Sequence, residues 1–339
     1  MVVSTLTRQF DAIGTTTVEE IRPELGDNIF KGNAVTAFLW PKRKVHTGGT
    51  SLLEPVLYGK NESTKWLTNP YDTVNTTAQE GMSMAQYAWR HYTLTTVISQ
   101  IERNQNAGKS QIIDLVTAKL NQTRMTARED LDREICQLNT SKDPSSLLGL
   151  DDIIANPTSG TFTDTLGGIA SSTYPWWRNQ VLDPAATGIG TSFAKFSARL
   201  WALCMEGTEK PTIIMCSKND IYPHWEGVMS GQQRITSKAY NDLGFDNFMY
   251  KSAPVIGDGY IQADSTAGGS IYFINQNALT LHTQAGGDMD EGNFVTAVTQ
   301  LVTVSIFLLT CQLTTNNRRR HGTNQNSASA VTATLTTWG

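Results

Sequence analysis

Two extended stretches flank an irregular polar segment between residues 45 and 104, and this arrangement restricts the fold more than any other feature of the chain. The first, Thr50 to Tyr58, reads TSLLEPVLY. The second, Ala85 to Ile101, reads AQYAWRHYTLTTVISQI, and a period of two places Tyr87, Trp89, His91, Thr93, Thr95 and Val97 on one face. Between the stretches lie Gly59, Asn61, Asn69, Pro70 and Gly81, with the aromatic residues Trp66 and Tyr71. A two-stranded hairpin is marginal in water because it buries little of its own apolar face. This one has to lie on something, and Leu52, Val56, Tyr87 and Trp89 are the residues that require cover.

The segments on either side are equally unlike a self-contained domain. Residues 1–44 are polar, with a capping-box pattern at Thr17-Val-Glu-Glu20 and a short helix expected over Asp27 to Trp40, ending before Pro41. They read as an arm that docks elsewhere. From Gly108 to about Leu138 the period becomes helical, with Ile113, Val116, Leu120, Ala127, Leu131 and Leu138 in one stripe and Glu129 four residues before Arg133. That predicts a helix of about 30 residues, roughly 45 Å long. Residues 139–190 are rich in Gly, Pro, Ser and Asp but contain the dense cluster YPWWRN at Tyr174 to Asn179, so they read as ordered and irregular.

Residues 191–300 read as a compact α/β unit. Helices are expected over Ser192 to Met205 and Lys218 to Ser230, and strands over Pro211 to Cys216, Ser252 to Ile256 and Ile271 to Ile274, with Pro254 favouring a sheet edge. The apolar run Leu301 to Leu313 is too short for the roughly 20 residues of a membrane helix and is interrupted by Thr, Ser and Gln, so it reads as a buried strand. The residues after Arg318-Arg-Arg320 are Ser, Thr, Asn and Gly and read as a loose end.

Composition excludes several classes. In 339 residues, 27 Lys and Arg oppose 31 Asp and Glu for a net charge of −4, which rules out a nucleic-acid binder driven by bulk charge. Hydrophobic residues at 39% exclude a disordered tail, and four widely spaced cysteines exclude a disulfide scaffold. Cys136, Cys204, Cys216 and Cys311 lack C-x-x-C spacing and read as reduced, mostly buried thiols. Only 17% of residues are charged, against about 25% in an average protein, so much of the surface is neutral, polar and cheap to desolvate. The start, MVVSTLTRQFDAIG, lacks the pattern of a signal peptide, so the protein is expected to stay where it is made. Of the sequons at Asn61, Asn75, Asn121 and Asn139, Asn121 falls within the predicted helix, and none is expected to carry a glycan.

Searches for catalytic, cofactor-binding and metal-binding patterns all fail. Ser230 in Gly227-Val-Met-Ser-Gly231 sits one position late for a nucleophile elbow. Asp288 to Gly292 begins like a calcium loop, but its glycine comes one residue early. Gly188-Ile-Gly190 lacks the third glycine of a dinucleotide fingerprint. His46, His91, His224, His282 and His321 form no ligand pair and read as structural or surface residues. Arg318, Arg319 and Arg320 read as a solvated or carboxylate-paired cluster, with phosphate contact as the alternative. Trp176 and Trp177, with Arg178 able to stack on them, read as buried anchors within the subunit or at an interface.

An ordered set of short strings carries a family resemblance. These are HTGG at His46 to Gly49, EPVLY at Glu54 to Tyr58, YDT at Tyr71 to Thr73, YAWRHY at Tyr87 to Tyr92 and NAGKSQIIDL at Asn106 to Leu115. Gly149-Leu150, YPWWRNQV at Tyr174 to Val181, KSAP at Lys251 to Pro254 and TNNRRRHG at Thr315 to Gly322 complete it. In this order the chain resembles a tailed-phage major capsid protein with the Hong Kong 97-type α+β fold. The resemblance implies an N-arm over 1–44, an E-loop over 45–104, a P-domain with its long spine helix over 105–190, an A-domain over 191–300, a return strand of the P-domain over 301–325 and a tail over 326–339.

It further implies a non-enzymatic, cofactor-free subunit that assembles as hexamers and pentamers into an icosahedral head around double-stranded DNA, in the virion, after assembly in the bacterial cytoplasm. The partners implied are other copies of the chain, a separate scaffolding protein and a portal, with a decoration protein left open, and neither a membrane nor sequence-specific DNA binding. Candidate assembly contacts are Leu52, Val56, Trp66, Tyr71, Tyr87, Trp89, Trp176, Trp177, Arg178, Arg318, Arg319 and Arg320, the arginines pairing with carboxylates at a junction with a neighbour. Lys60 and Lys65 stand where some members of this fold form covalent cross-links, but their hydrated surroundings predict a shell without them. A different phage structural protein, or an enzyme on the α/β unit, are the rival readings.

Overall fold

The computed structural model describes residues 34–105, 115–137, 142–157, 161–182, 189–218, 222, 225, 247–261, 271–291, 295–296 and 300–324. The Thr17 capping box, the first residues of the predicted long helix, nearly all of the Lys218 to Ser230 helix and the loose end lie outside these residues. The described residues divide into two units, one built from those within 94–126 and 292–306, the other from those within 31–93, 127–291 and 307–324.

The elements begin with helix α1 (Ala34–Leu39), a 3-10 turn at Trp40–Lys42, and strands β1 (Lys44–His46), β2 (Ser51–Leu57), β3 (Met82–Ala88) and β4 (Arg90–Ser99). Helices α2 (Gln100–Gln105), α3 (Leu115–Cys136) and α4 (Leu150–Ile153) follow, then β5 (Thr165–Leu166), β6 (Ile169–Ala170), a 3-10 turn at Pro175–Trp177 and β7 (Gln180–Leu182). Helix α5 (Ile189–Cys204) precedes β8 (Ile213–Ser217), β9 (Asn247–Tyr250), β10 (Ala253–Asp258) and β11 (Ile271–Ile274). Strands β12 (Leu279–Glu291), β13 (Val295–Thr296) and β14 (Val302–Thr315), a 3-10 turn at Arg318–Arg320 and β15 (Gly322–Asn324) complete the chain.

In the larger unit a sheet of order β7-β15-β11-β8-β10-β9 is buried on both faces. Ile213 and Met215 of β8 join one apolar cluster, while Ile214 and Cys216 join another beneath α5, so every residue of β8 is inside. This is why the strand reads as an unbroken apolar run instead of an alternating one. Phe196, Leu200, Trp201 and Cys204 of α5 supply the cover on the second face, with Trp225, Tyr250 and Phe273 in edge-on aromatic contacts. The first cluster joins α1, the β2–β3 hairpin, the C-terminal half of α3, α4 and the ends of β12 and β14.

In the smaller unit the threonines Thr96 and Thr123 meet at 2.7 Å, Lys119 pairs with Glu102 at 2.7 Å, and β13 pairs antiparallel with the start of β14. Val97, Ile101, Val295, Leu301 and Ile306 are exposed there.

Several expectations are corrected. The face starting at Tyr87 does not continue beyond Trp89, because the strand is interrupted there: His91, Thr93, Thr95 and Val97 are exposed, while Thr96 and Ile98 are buried. The Gln312 side-chain amide takes the Ala88 carbonyl at 2.8 Å and the Trp89 indole donates to Gly49 O at 3.0 Å, so one residue leaves the ladder and parity inverts. Pro254 does not mark an edge, since β10 runs between β8 and β9. Its missing N–H is harmless because pairing with β8 begins one residue later, at Val255. The described part of the long helix, α3, has 22 residues and is about 33 Å long. Its buried stripe includes Asp132, Ile135 and Cys136 as well as Ala127 and Leu131.

The turn between β5 and β6 sets where the β2–β3 hairpin rests. Gly167 and Gly168 both have positive φ, at 61° and 78°, as a two-residue hairpin turn requires, and Gly167 O accepts the Gln86 amide at 2.9 Å. A Cβ at Gly167 would stand 2.8 Å from the Ala85 Cβ, whereas one at Gly168 would meet open space. Gly168→Ala is expected to cost about 1 kcal/mol of backbone strain, and Gly167→Ala about 2–4 kcal/mol because overlap is added. Denaturant midpoints of the two variants test this ordering.

Candidate assembly surface

Strands β2 and β3 pair antiparallel, with Leu52 opposite Tyr87, Pro55 opposite Met84 and Leu57 opposite Met82. One face is fully used by the chain itself. Leu52, Val56, Ala85 and Tyr87 are buried in the first core cluster, and the Tyr87 hydroxyl donates to Thr315 O at 2.9 Å. The cover that Leu52, Val56, Tyr87 and Trp89 require thus comes from the same chain, which corrects the expectation that a neighbour must supply it. These four residues, and Trp177, are interior residues rather than surface contacts.

Among the described residues the opposite face and the tip have no such cover. Leu53, Leu57, Met82 and Met84 are exposed, and the segment 58–81 carries Trp66 at 97% and Tyr71 at 96% exposure beside exposed Leu67 and Val74. The tip is nevertheless organised: Asp72 accepts the Thr68 amide at 3.0 Å and lies 3.6 Å from the Lys65 ammonium, and Asn61 accepts the Ser63 amide at 2.9 Å. Exposed aromatic residues held on an ordered loop form a surface suited to burial against another protein.

At its base the hairpin is fastened by polar contacts that the sequence did not single out. Glu54 accepts from Thr314 at 3.2 Å and lies 3.1 Å from His282 Nε2, while His282 Nδ1 meets His46 Nε2 at 2.7 Å. The His282 contact holds the Glu54 carboxyl below its usual range, and burial with the neighbouring His282 lowers His46. Tyr58 stacks on Trp176 with centroids 4.7 Å apart and planes at 13°.

The three arginines part company. Arg318 has no exposed surface. Its Nε donates to Ile153 O at 2.8 Å, and its Nη1 donates to Asp164 Oδ2 at 2.7 Å, Ser171 Oγ at 2.8 Å and Trp177 O at 3.2 Å. Arg319 is exposed, 3.9 Å from Glu206, and Arg320 lies 3.6 Å from Glu209. These carboxylates belong to the same chain, and for Arg318, which has no exposed surface, this corrects the pairing expected at a junction with a neighbour. The Trp177 indole donates to Leu166 O at 3.0 Å, and Arg178 donates to Ser171 O at 2.6 Å and Ser172 O at 2.9 Å while lying over Phe162. Phe162, Trp176, Arg178 and Arg319 line an open groove of about 540 Å³. All four cysteines are free and buried, as their spacing suggested.

No protein-family model matches the chain, and no curated protein matches it by sequence. By structure it is similar to the cyanophage A-1(L) capsid asymmetric unit, at 15% identity and a TM-score of 0.65, over 93% of this chain and 99% of that one. It is similar over 97% of its length to a capsid chain of the native GTA particle, 100% of which is covered, at 11% identity and a TM-score of 0.62. The chain has the Hong Kong 97-type α+β fold. The holo-SrpI encapsulin complex from Synechococcus elongatus shares this fold at 10% identity and a TM-score of 0.58, over 97% of each chain. Capsid chains and an encapsulin chain thus share the fold on which Trp66 and Tyr71 are displayed.

Two outcomes test the site's chemistry. Arg318→Met is expected to destabilise the chain by about 3–5 kcal/mol, since it leaves Asp164 and several buried acceptors unpaired, whereas Arg319→Ala stays within about 0.5 kcal/mol. Thermal unfolding of both variants separates a structural Arg318 from a merely solvated cluster. His321 is fully buried beside Arg318 and Arg320, and burial first, then those cations, lowers its pKa to about 3. The unfolded chain thus takes up a proton near pH 6.5 that the folded chain refuses, so stability is expected to fall as pH drops from about 6.5 toward 3. Unfolding free energies over that range should decline less steeply in His321→Asn than in the parent.

Proposed function

We propose that this chain is the major capsid protein of a tailed phage, assembling with itself as hexamers and pentamers into an icosahedral head that encloses double-stranded DNA. The observation that carries the proposal is the ordered tip with its exposed Trp66 and Tyr71, on a fold that matches capsid chains over nearly their whole length. In this reading residues 1–44 are the N-arm, 45–104 the E-loop, 105–190 with the strand over 301–325 the P-domain, 191–300 the A-domain and 326–339 a tail. The subunit works by binding and not by catalysis, with a separate scaffolding protein and a portal as partners during assembly in the bacterial cytoplasm.

Physical chemistry supports this assignment. A subunit surface with few charges loses little hydration on contact, so many modest symmetric interfaces sum to a durable shell. A net charge of −4 keeps the shell from adhering to packaged DNA, which has to leave. Lys65 is half exposed at the tip and lies 3.6 Å from Asp72, an ion pair in contact with water and not the apolar surroundings that cross-linking chemistry requires. Boiled, reduced particles are therefore expected to run as a single band near 37.2 kDa, and a ladder of covalent multimers would show that cross-links form.

Electron microscopy of the full chain, expressed with and without its scaffolding protein, is expected to show closed shells in the first case and tubes or sheets in the second. A chain that stays monomeric at high concentration with scaffold present overturns the proposal. Trp66→Ala with Tyr71→Ala is expected to raise the concentration needed for assembly by about 30-fold or more, the effect of losing about 2 kcal/mol per interface, while leaving the monomer's melting unchanged. Protease should cut residues 59–80 in free subunits and spare them in particles; equal cutting in both would refute the tip's role as a contact.

A further inference from the structure

Deep in the larger unit, three ligand-type side chains converge where an apolar core would be expected. Asp132 and Cys136 are four residues apart on α3 and so share one face, and Asp258 comes from the last position of β10. Asp132 and Cys136 are at most 1% exposed and Asp258 2%. Their donor atoms, two carboxylate oxygens and a thiol sulfur, all lie within 4.8 Å of one another. Asp132 Oδ1 is engaged by the Thr36 amide at 2.9 Å and the Thr36 hydroxyl at 3.1 Å, from the first turn of α1. Among the described residues its other oxygen, Oδ2, is buried without a hydrogen-bond partner.

We propose that Asp132, Cys136 and Asp258 form a buried site for one divalent transition-metal cation, zinc by the chemistry of its donors. Two carboxylates this close and this deep cannot both be ionised without a compensating charge, and an orphaned Asp132 oxygen is costly unless something binds it. A cation answers both needs at once. A thiolate beside carboxylates suits zinc better than magnesium or calcium, which take oxygen donors only. Zinc holds sulfur at about 2.3 Å and oxygen at about 2.1 Å, so the three donors have only to close by about an ångström. Binding displaces the thiol proton, together with any proton held between the carboxylates, to solvent.

Burial first, then Asp258 and Asp132, pushes the Cys136 thiol well up against the opposing Lys142, which pairs with Asp152 at 3.2 Å, so a bound cation itself has to draw out the thiolate. Glu129, one turn before Asp132 on α3, is held by the Tyr260 hydroxyl, and Tyr260 N donates to Asp258 Oδ1 at 2.7 Å. From α1 only the first-turn amides and the Thr36 hydroxyl face Asp132. An ion here would lock the helix α3 to the end of β10 and, through Asp132, to α1.

The test uses the full chain, grown with zinc, desalted and assayed for bound metal, then stripped with chelator and titrated with Zn²⁺ or Co²⁺. About one zinc per chain is expected, with a Co²⁺ form that shows thiolate-to-metal charge-transfer absorption. Restoring Zn²⁺ at a hundredfold excess over Kd is expected to raise the melting temperature by about 5 °C or more. Cys136→Ser should abolish the charge-transfer band and Asp132→Asn the zinc-dependent rise, while Cys311→Ser, at a buried thiol outside the site, keeps both. The proposal is overturned if the unmodified chain binds no stoichiometric zinc and melts unchanged with Zn²⁺, the behaviour of a carboxyl pair that shares a proton. A charge-transfer band that survives in Cys136→Ser overturns it equally.

Discussion

A guanidinium with no contact with water is the interaction on which the larger unit depends. Arg318 follows the return strand β14 and gathers Ile153, Asp164, Ser171 and Trp177, groups from a stretch of chain that has little regular structure of its own. Irregular backbone can be buried only if its carbonyls find donors, and the five N–H groups of one arginine supply several at once. The arrangement is stabilising because the desolvated cation is offset by Asp164 Oδ2 and by hydrogen bonds to neutral oxygens. Neighbouring His321 remains neutral for the same reason, since a second buried cation there would have no counterpart.

The hairpin illustrates how one element serves both fold and surface. Its inner face closes the core through Leu52, Val56, Ala85 and Tyr87, and its base is pinned by Glu54, His282 and His46. Because those contacts hold the strands, the outer ladder of Leu53, Leu57, Met82 and Met84 and the tip with Trp66 and Tyr71 stay ordered while exposed. Preorganised contact residues lose less entropy on association, which favours interfaces built from many small, repeated contacts.

Where expectation and structure part, a specific long-range contact is responsible. The period-two pattern from Tyr87 to Val97 is genuine in the sequence, yet it changes face at Trp89 because Gln312 and Gly49, distant in the chain, capture the groups that would have continued the ladder. Pro254 looked like an edge residue because its lost N–H matters only if a partner stands opposite, and the register with β8 starts at Val255. The arginine run looked uniform, but a turn of 3-10 helix points Arg318 inward and leaves Arg319 outside.

Local pattern determined the elements: the apolar run of β8, the helical stripes of α3 and α5, the hairpin strands, and the ordered strings that resemble a capsid subunit. Each of these depends on periodicity or on neighbours a few residues away, which a sequence displays directly. Tertiary structure alone decided which apolar residues are interior and which are displayed, that Leu52 and Tyr87 are covered by their own chain, that Asp164 neutralises Arg318, and that Asp258 meets Asp132 and Cys136. These outcomes depend on side chains from remote segments meeting in a low-dielectric interior, where a partner's presence changes the energy of a polar group by more than any local preference does.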